Sequence, residues 1–271
     1  MLKSRKFCCI IGKEYIEGKN FMQKLLSYLR RGVDEYNMIN EGDHITVGVS
    51  GGKDSLALLC GLAKLRDFYP KKFTLSAVTL DMGFGMDFSP VEKLCGELGV
   101  PYVVKKTDIA QILFDIRKES NPCSLCAKMR RGALHDAALE LGSHKVALGH
   151  HNDDALDTFM LSLIYEGRIN CFSPVTYLDR KDITLIRPMI YAPENYIVGF
   201  VKRMELPVVH NKCPEDKRTK REYAKNLIKS LEKENPGFKT RLFTAIEGGK
   251  VSGFGVKNVQ NCAERKNANN L

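Results

Sequence analysis

Ser50-Gly51-Gly52-Lys53-Asp54-Ser55 (SGGKDS) joins two segments of different character. Ahead of it, residues 44–49 (HITVGV) form a β-branched apolar run bounded by Glu41-Gly42-Asp43, the pattern of a short buried strand. Behind it, residues 55–65 (SLALLCGLAKL) repeat apolar side chains at helical spacing. A Gly-Gly turn between strand and helix brings backbone N–H groups close to whatever sits at the helix start. Those N–H groups are unpaired and the helix dipole favours negative charge there. Lys53 adds a point charge, Ser50 and Ser55 add hydroxyls, and Asp54 offers a carboxylate for a metal ion on the phosphates. The stretch reads as a nucleotide phosphate loop.

The Walker A spacing, with four residues between its first Gly and its Gly-Lys pair, is absent. SGGKDS instead resembles the PP-loop of the ATP pyrophosphatases. That resemblance implies cleavage of ATP to AMP and pyrophosphate while a substrate is adenylated.

Working outward, residues 73–80, 102–105, 145–148 and 184–186 read as further strands, and 21–37, 91–98, 126–141 and 153–165 as helices. Alternation of this kind predicts an α/β fold, a doubly wound parallel sheet of about five strands, with the ligand at the carboxyl ends of the strands. The organisation expected is an N-terminal helical extension (1–40), a nucleotide-binding α/β domain (41–210), a basic C-terminal helical region (211–247) and a disordered polar tail (248–271).

Bulk properties narrow the function classes. No apolar run approaches a membrane span, and the N-terminus lacks a signal-peptide core. Nine cysteines, odd in number and mostly scattered, do not form a disulfide framework and fit a reducing cytoplasm. The formal net charge of +10 points to a polyanionic partner.

Three further features need a joint explanation. Gly149-His150-His151-Asn152-Asp153-Asp154 follows the fourth expected strand. Alone it reads as helix capping; beside a phosphate loop, Gly149, His150, Asp153 and Asp154 read as completing the nucleotide and metal site. Next, Cys123-Ser124-Leu125-Cys126 stands immediately before a basic helix carrying Lys128, Arg130 and Arg131, charges expected to favour thiolate. A redox dithiol is the competing reading. Zinc would need about four protein ligands; three cysteines, with Cys213 as the third, suit an iron–sulfur cluster having one iron without a protein ligand. Last, Lys217 to Arg221, Lys225 and Lys229 include Arg218 and Arg221 near one helical face, a surface suited to RNA phosphates.

SGGKDS, PCSLCAKMRRGAL, ALGHHNDDALDT, IRP and then a third cysteine, in that order, resemble the tRNA 2-thiocytidine synthetase family of PP-loop tRNA thiolases, over about residues 20 to 245. What the resemblance implies is a [4Fe-4S] cluster on Cys123, Cys126 and Cys213, with sulfur carried on the free iron. ATP and Mg²⁺ would act at Ser50 to Ser55, with catalytic roles for Lys53, Asp54 and the three cysteines. The substrate would be a cytidine of a tRNA anticodon loop, with a cysteine desulfurase as sulfur donor and a homodimer as the assembly. Asp81, at a strand end, is a further candidate for contact with adenosine or for catalysis, against a plain role as strand terminator. Arg187 either contacts phosphate or ends a strand. The third-cysteine region departs from the familiar pattern in lacking a second C-x-x-C. Lysidine synthetases share the loop and a G-H-x-x-D-D segment but need no cysteine triad. A 2-thiouridine enzyme and a non-catalytic, metal-containing RNA-binding module also compete with the 2-thiocytidine reading.

Overall fold

The computed structural model describes residues 17–117, 122–210, 212–213, 220–249, 251, 252 and 254. Cys8, Cys9, Cys262, Arg218 and the tail beyond residue 254 lie outside these.

The strands are β1 (Asp43–Gly48), β2 (Phe73–Asp81), β3 (Tyr102–Lys106), β4 (Lys145–Ala147), β5 (Val175–Leu178) and β6 (Ile183–Ile186). The helices are α1 (Glu17–Glu35), α2 (Lys53–Arg66), α3 (Ser89–Glu97), α4 (Pro122–Glu140), α5 (Asn152–Leu161), α6 (Glu194–Arg203), α7 (Lys220–Glu234) and α8 (Phe238–Gly248). One sheet runs in the order β3-β2-β1-β4-β6-β5. All neighbouring pairs are parallel except β5, which runs antiparallel to β6 with Val175 opposite Ile186. The five expected strands are therefore present, and β5 is an additional edge strand.

Burial explains the centre of the sheet. Ile45 and Val47 of β1 are fully buried, and the intervening Thr46 is buried too, its hydroxyl 2.9 Å from that of Ser76. A parallel strand covered on both faces loses the usual apolar–polar alternation. Helix α2 is buried nearly all round, packing between α1 and α6. Gly61 permits that approach, since a Cβ there would stand 2.7 Å from a methyl of Leu29.

Strand order places the site. The chain leaves β1 for β2 on one side and only later returns on the other side as β4. The loops after β1 and β4 therefore emerge side by side at the carboxyl edge, the switch point where α/β sheets bind ligands. At the lateral edge of the sheet away from β5, Val103 and Val104 of β3 are partly exposed and are followed by Lys105 and Lys106.

Three local features differ from expectation. Helix α5 ends at Leu161 and continues as a single π-helical turn, Ser162–Glu166. Another π-helical turn occupies Gln111–Ile116. Packing also continues past Gly248: Val251 and Phe254 are buried in the main core, and Ser252 bridges Asn170. Among the described residues, no helix is long and apolar enough to cross a membrane.

Candidate active site

The phosphate loop is held open by its own side chains. Gly51 has φ +80°, a conformation that favours glycine. The Ser55 hydroxyl donates to the Gly52 carbonyl at 2.9 Å and accepts from the Ser50 N–H at 3.1 Å. Gly52 caps α2 with no side-chain hydrogen bond, so the first-turn N–H groups face outward unpaired by a cap. Gly149, from the loop after β4, lies against the same turn; a Cβ there would approach the Asp54 carbonyl carbon and the Ser55 nitrogen at 3.1 Å.

Above this turn lies a cavity of about 630 Å³. Ser50, Gly52, Asp54, Ser55, Gly149, His150 and Asp154 line its polar side, as expected of them. Arg130 of α4 and Arg221 of α7, expected on an RNA surface, also line it. Its apolar wall includes Leu80, Met82, Met86 and Val209. Val209 was not anticipated, because a lone valine in an irregular segment carries no signal. Its N–H donates to the Gly51 carbonyl at 2.9 Å.

Other expected residues stand elsewhere. Lys53 folds back, its ammonium 2.8 Å from Asp54 Oδ1 and 3.2 Å from Glu194 Oε1. Burial works against that ammonium, but Asp54 and Glu194 outweigh it and raise the Lys53 pKa. Asp153 does not line the cavity. It accepts from the Glu194 N–H at 2.7 Å and pairs with Lys239 of α8 at 2.6 Å, so it ties three helices together. Asp81 is likewise outside the lining; its carboxylate accepts from the Gly83 N–H at 2.9 Å, the behaviour of a turn residue closing a strand. Lys128 and Arg131 are exposed on α4.

The Gly149–Asp154 segment does cap a helix, through His151. The His151 ring accepts from the Asp154 N–H, and the Asp154 carboxylate accepts from the His151 N–H at 3.0 Å, a reciprocal capping box. His151 Nε2 also lies 3.5 Å from Asp54. Arg221 reaches Asp154 at 3.4 Å and Thr158 at 3.2 Å, and Lys225 reaches Glu194 at 2.8 Å. The α7 face is thus partly folded onto the nucleotide site rather than free.

Deeper in, the His150 ring packs on Phe172 at 5.1 Å, with Nδ1 unpaired. Burial, then the neighbouring Arg187, push the His150 pKa down to about 4. Arg187 is buried behind that ring, donates to the Ser173 carbonyl and Thr176 hydroxyl, and does not line the cavity. Burial pushes the Asp157 carboxyl of α5 up to about 6, against Arg221.

The cysteines stand outside the cavity lining. The helix α4 begins at Pro122 rather than at Cys126, so Cys123 lies in its first turn and Cys126 just after it. Cys126 packs beside Met82, Ile109 and Leu113, with the Arg130 charge acting on its thiol. Burial outweighs Arg130, and Cys213 and Cys123 add to it, so the Cys126 pKa is raised, contrary to the expected preference for thiolate. That same coupling places Cys213, about ninety residues further on, within electrostatic reach of Cys126. Among the described residues, no three His, Cys, Asp or Glu side chains are drawn into a ready-made metal centre. The donor set nonetheless fits an iron–sulfur cluster: three soft thiols come from two chain segments, Cys126 packs on an apolar patch, and Cys123 and Cys213 act electrostatically on its thiol. Lys212, next to Cys213, donates to the Gly85 carbonyl at 2.7 Å and anchors the second segment.

A parallel α/β sheet with a glycine loop at its switch point, an open helix N-terminus and a cavity above it define a PP-loop nucleotide-binding protein. The PP-loop domain family matches residues 20–231. Curated tRNA-cytidine(32) 2-sulfurtransferases match most of the chain. That of Pelobacter propionicus is 39% identical over 228 residues, covering 83% of this chain and 85% of the relative. That of Bordetella petrii is 37% identical, covering 85% and 72%. The chain belongs to the PP-loop family and, within it, to the tRNA-cytidine(32) 2-sulfurtransferase family. Among solved structures, the U34-tRNA thiolase NcsA from Methanococcus maripaludis, with its [4Fe-4S] cluster, has the same fold (TM-score 0.72, 24% identity, 85% of this chain and 78% of that one).

Proposed function

We propose that this chain is an ATP-dependent tRNA sulfurtransferase that replaces the O2 oxygen of a cytidine with sulfur, releasing AMP and pyrophosphate. The observation that carries this reading is Arg130, which lines the nucleotide cavity while its charge acts on the Cys126 thiol one helical turn back on α4. Arg130 therefore links the nucleotide cavity to the cysteine-bearing end of α4. Membership of the 2-sulfurtransferase family supports the same reaction.

A pyrimidine carbonyl oxygen is a poor leaving group. Attack of O2 on the α-phosphorus of ATP expels pyrophosphate and leaves that oxygen bound to AMP. Sulfide then adds at C2, AMP departs with the oxygen, and loss of a proton leaves the thiocarbonyl, with no net redox change. The open N–H groups of α2 receive the phosphates, and Lys53 neutralises charge growing on pyrophosphate. Asp54, in the cavity wall, would hold Mg²⁺. Leu80, Met82, Met86 and Val209 keep water from the activated carbon. Cys123, Cys126 and Cys213 would hold a [4Fe-4S] cluster, and the chemistry it would supply there is the carriage of sulfide. Exposed Lys128 and Arg131, with Arg130 and Arg221 at the rim, would meet the tRNA phosphates. The reading takes a cysteine desulfurase as sulfur donor, with a thiol or electron-transfer reductant supplying the two electrons that turn its persulfide sulfur into sulfide, and a homodimer as the assembly.

The test is nucleoside mass spectrometry of total tRNA from cells with and without the gene. Loss of 2-thiocytidine, restored by the intact gene and not by Cys123→Ala, is the expected result. An unchanged thionucleoside profile would overturn the proposal.

A further inference from the structure

Two lysines from different helices converge on one carboxylate oxygen. Glu194 Oε1 is 3.2 Å from the Lys53 ammonium of the phosphate loop and 2.8 Å from that of Lys225 on α7. Glu194 is the first residue of α6, directly after Pro193, and its own N–H is anchored on buried Asp153. Its position is thus set by backbone, not by the lysines it holds. The other carboxylate on Lys53 is its chain neighbour Asp54, which faces the cavity and the metal-bearing phosphates. When a cation occupies Asp54, Glu194 is the carboxylate left to aim the lysine.

We propose that Glu194 is a positioning residue that directs Lys53 at the phosphates of ATP, holding it in competition with Lys225. The proposal rests on the sulfurtransferase reading for its reaction but not for its geometry. An ammonium aimed by a fixed carboxylate stabilises charge that grows only in the transition state, so its loss appears in kcat rather than in KM. Lys225 draws on the same oxygen, so removing it leaves Glu194 wholly to Lys53. A carboxylate that merely fastened α6 to α7 would make the Glu194 and Lys225 variants behave alike.

The experiment compares wild type, Glu194→Gln and Lys225→Met in two readouts on the full chain. In the first, ¹⁵N-lysine spectra of the RNA-free proteins, each also carrying Asp54→Asn so that Glu194 is the carboxylate left on Lys53, report ammonium groups held against solvent exchange. The Lys53 signal should weaken several-fold in Glu194→Gln and persist in Lys225→Met. In the second, tRNA-dependent AMP formation should fall about tenfold or more in kcat for Glu194→Gln with KM for ATP within about threefold. An unchanged Lys53 signal in Glu194→Gln, or equal signal losses in the two variants, overturns the proposal. If wild type forms no AMP with tRNA, the sulfurtransferase reading fails, and the spectra still decide the role of Glu194.

Discussion

Val209 and Gly51 interlock: the Val209 N–H donates to the Gly51 carbonyl at 2.9 Å, and a Cβ on Gly51 would stand 2.9 Å from Val209 Cβ. The segment leading to Cys213 is therefore fastened to the phosphate loop before any ligand arrives. Gly51→Ala must strain a backbone at φ +80° and push that segment away. We expect a stability loss of about 1–3 kcal/mol and weaker ATP binding, read by thermal denaturation and calorimetry. Wild-type values in both would remove the interlock from the site.

Gly149→Ala addresses the other side of the loop. Its Cβ would press on the Asp54 and Ser55 backbone at 3.1 Å, where only tenths of an ångström can be recovered. KM for ATP should rise several-fold with the fold retained by circular dichroism. An unaltered KM would show that the β4 loop does not shape the nucleotide site.

The cysteines should divide into two groups. Burial pushes the Cys60, Cys95 and Cys171 thiols up to about 12, whereas Cys123 is exposed at the α4 N-terminus. In cluster-free protein, iodoacetamide should label Cys123 early and those three last, read by peptide mass spectrometry. Alanine at Cys123, Cys126 or Cys213 should abolish sulfur transfer while ATP still binds. Retained transfer in any one variant would release that residue from the proposed cluster.

Stability between about pH 4 and 6 should be flatter than either of two groups alone would make it. His150, lowered to about 4 from its ordinary value, favours its neutral form, so its contribution is present above pH 6.5 and is lost as pH falls towards 4. Asp157, raised to about 6, has the opposite sign: the folded state gains as the pH falls and the carboxyl protonates. Urea titrations should show Asp157→Asn steepening the acid loss and His150→Gln reversing the slope. Parallel curves for all three proteins would contradict the opposition.

The nucleotide half of the site was legible because glycine turns and apolar runs act locally. SGGKDS needs only its flanking strand and helix to be read, and the same holds for β1 to β4 and for β6. Strand β5 was not legible: Val175–Leu178 is four residues long and half-buried at every position, with neither alternation nor a sustained apolar run. The π-helical turns preserve helical composition and so leave no mark. Glu194 is one acid after one proline, and only the packing of α6 against α2 brings it to Lys53. The partners of Asp153 (Glu194 N–H and Lys239) and of Arg221 (Asp154 and Thr158) were not legible either, because sequence shows a charge but not the group that takes it up.

Strand β3 carries a handling consequence. Among the described residues its outer edge pairs with no further strand, and it carries partly exposed Val103 and Val104, a template on which a second chain can lay a strand. Lys105 and Lys106 follow at once, and Lys105 is clasped by Glu140 of α4 at 2.6 Å. The pair acts as a gatekeeper, since burying a lysine ammonium between strands is unfavourable. Neutralising both lysines should lower the concentration at which the protein stays in solution while leaving its chemistry untouched, because colloidal behaviour resides at the edge of the sheet farthest from β5 and the reaction at its carboxyl ends.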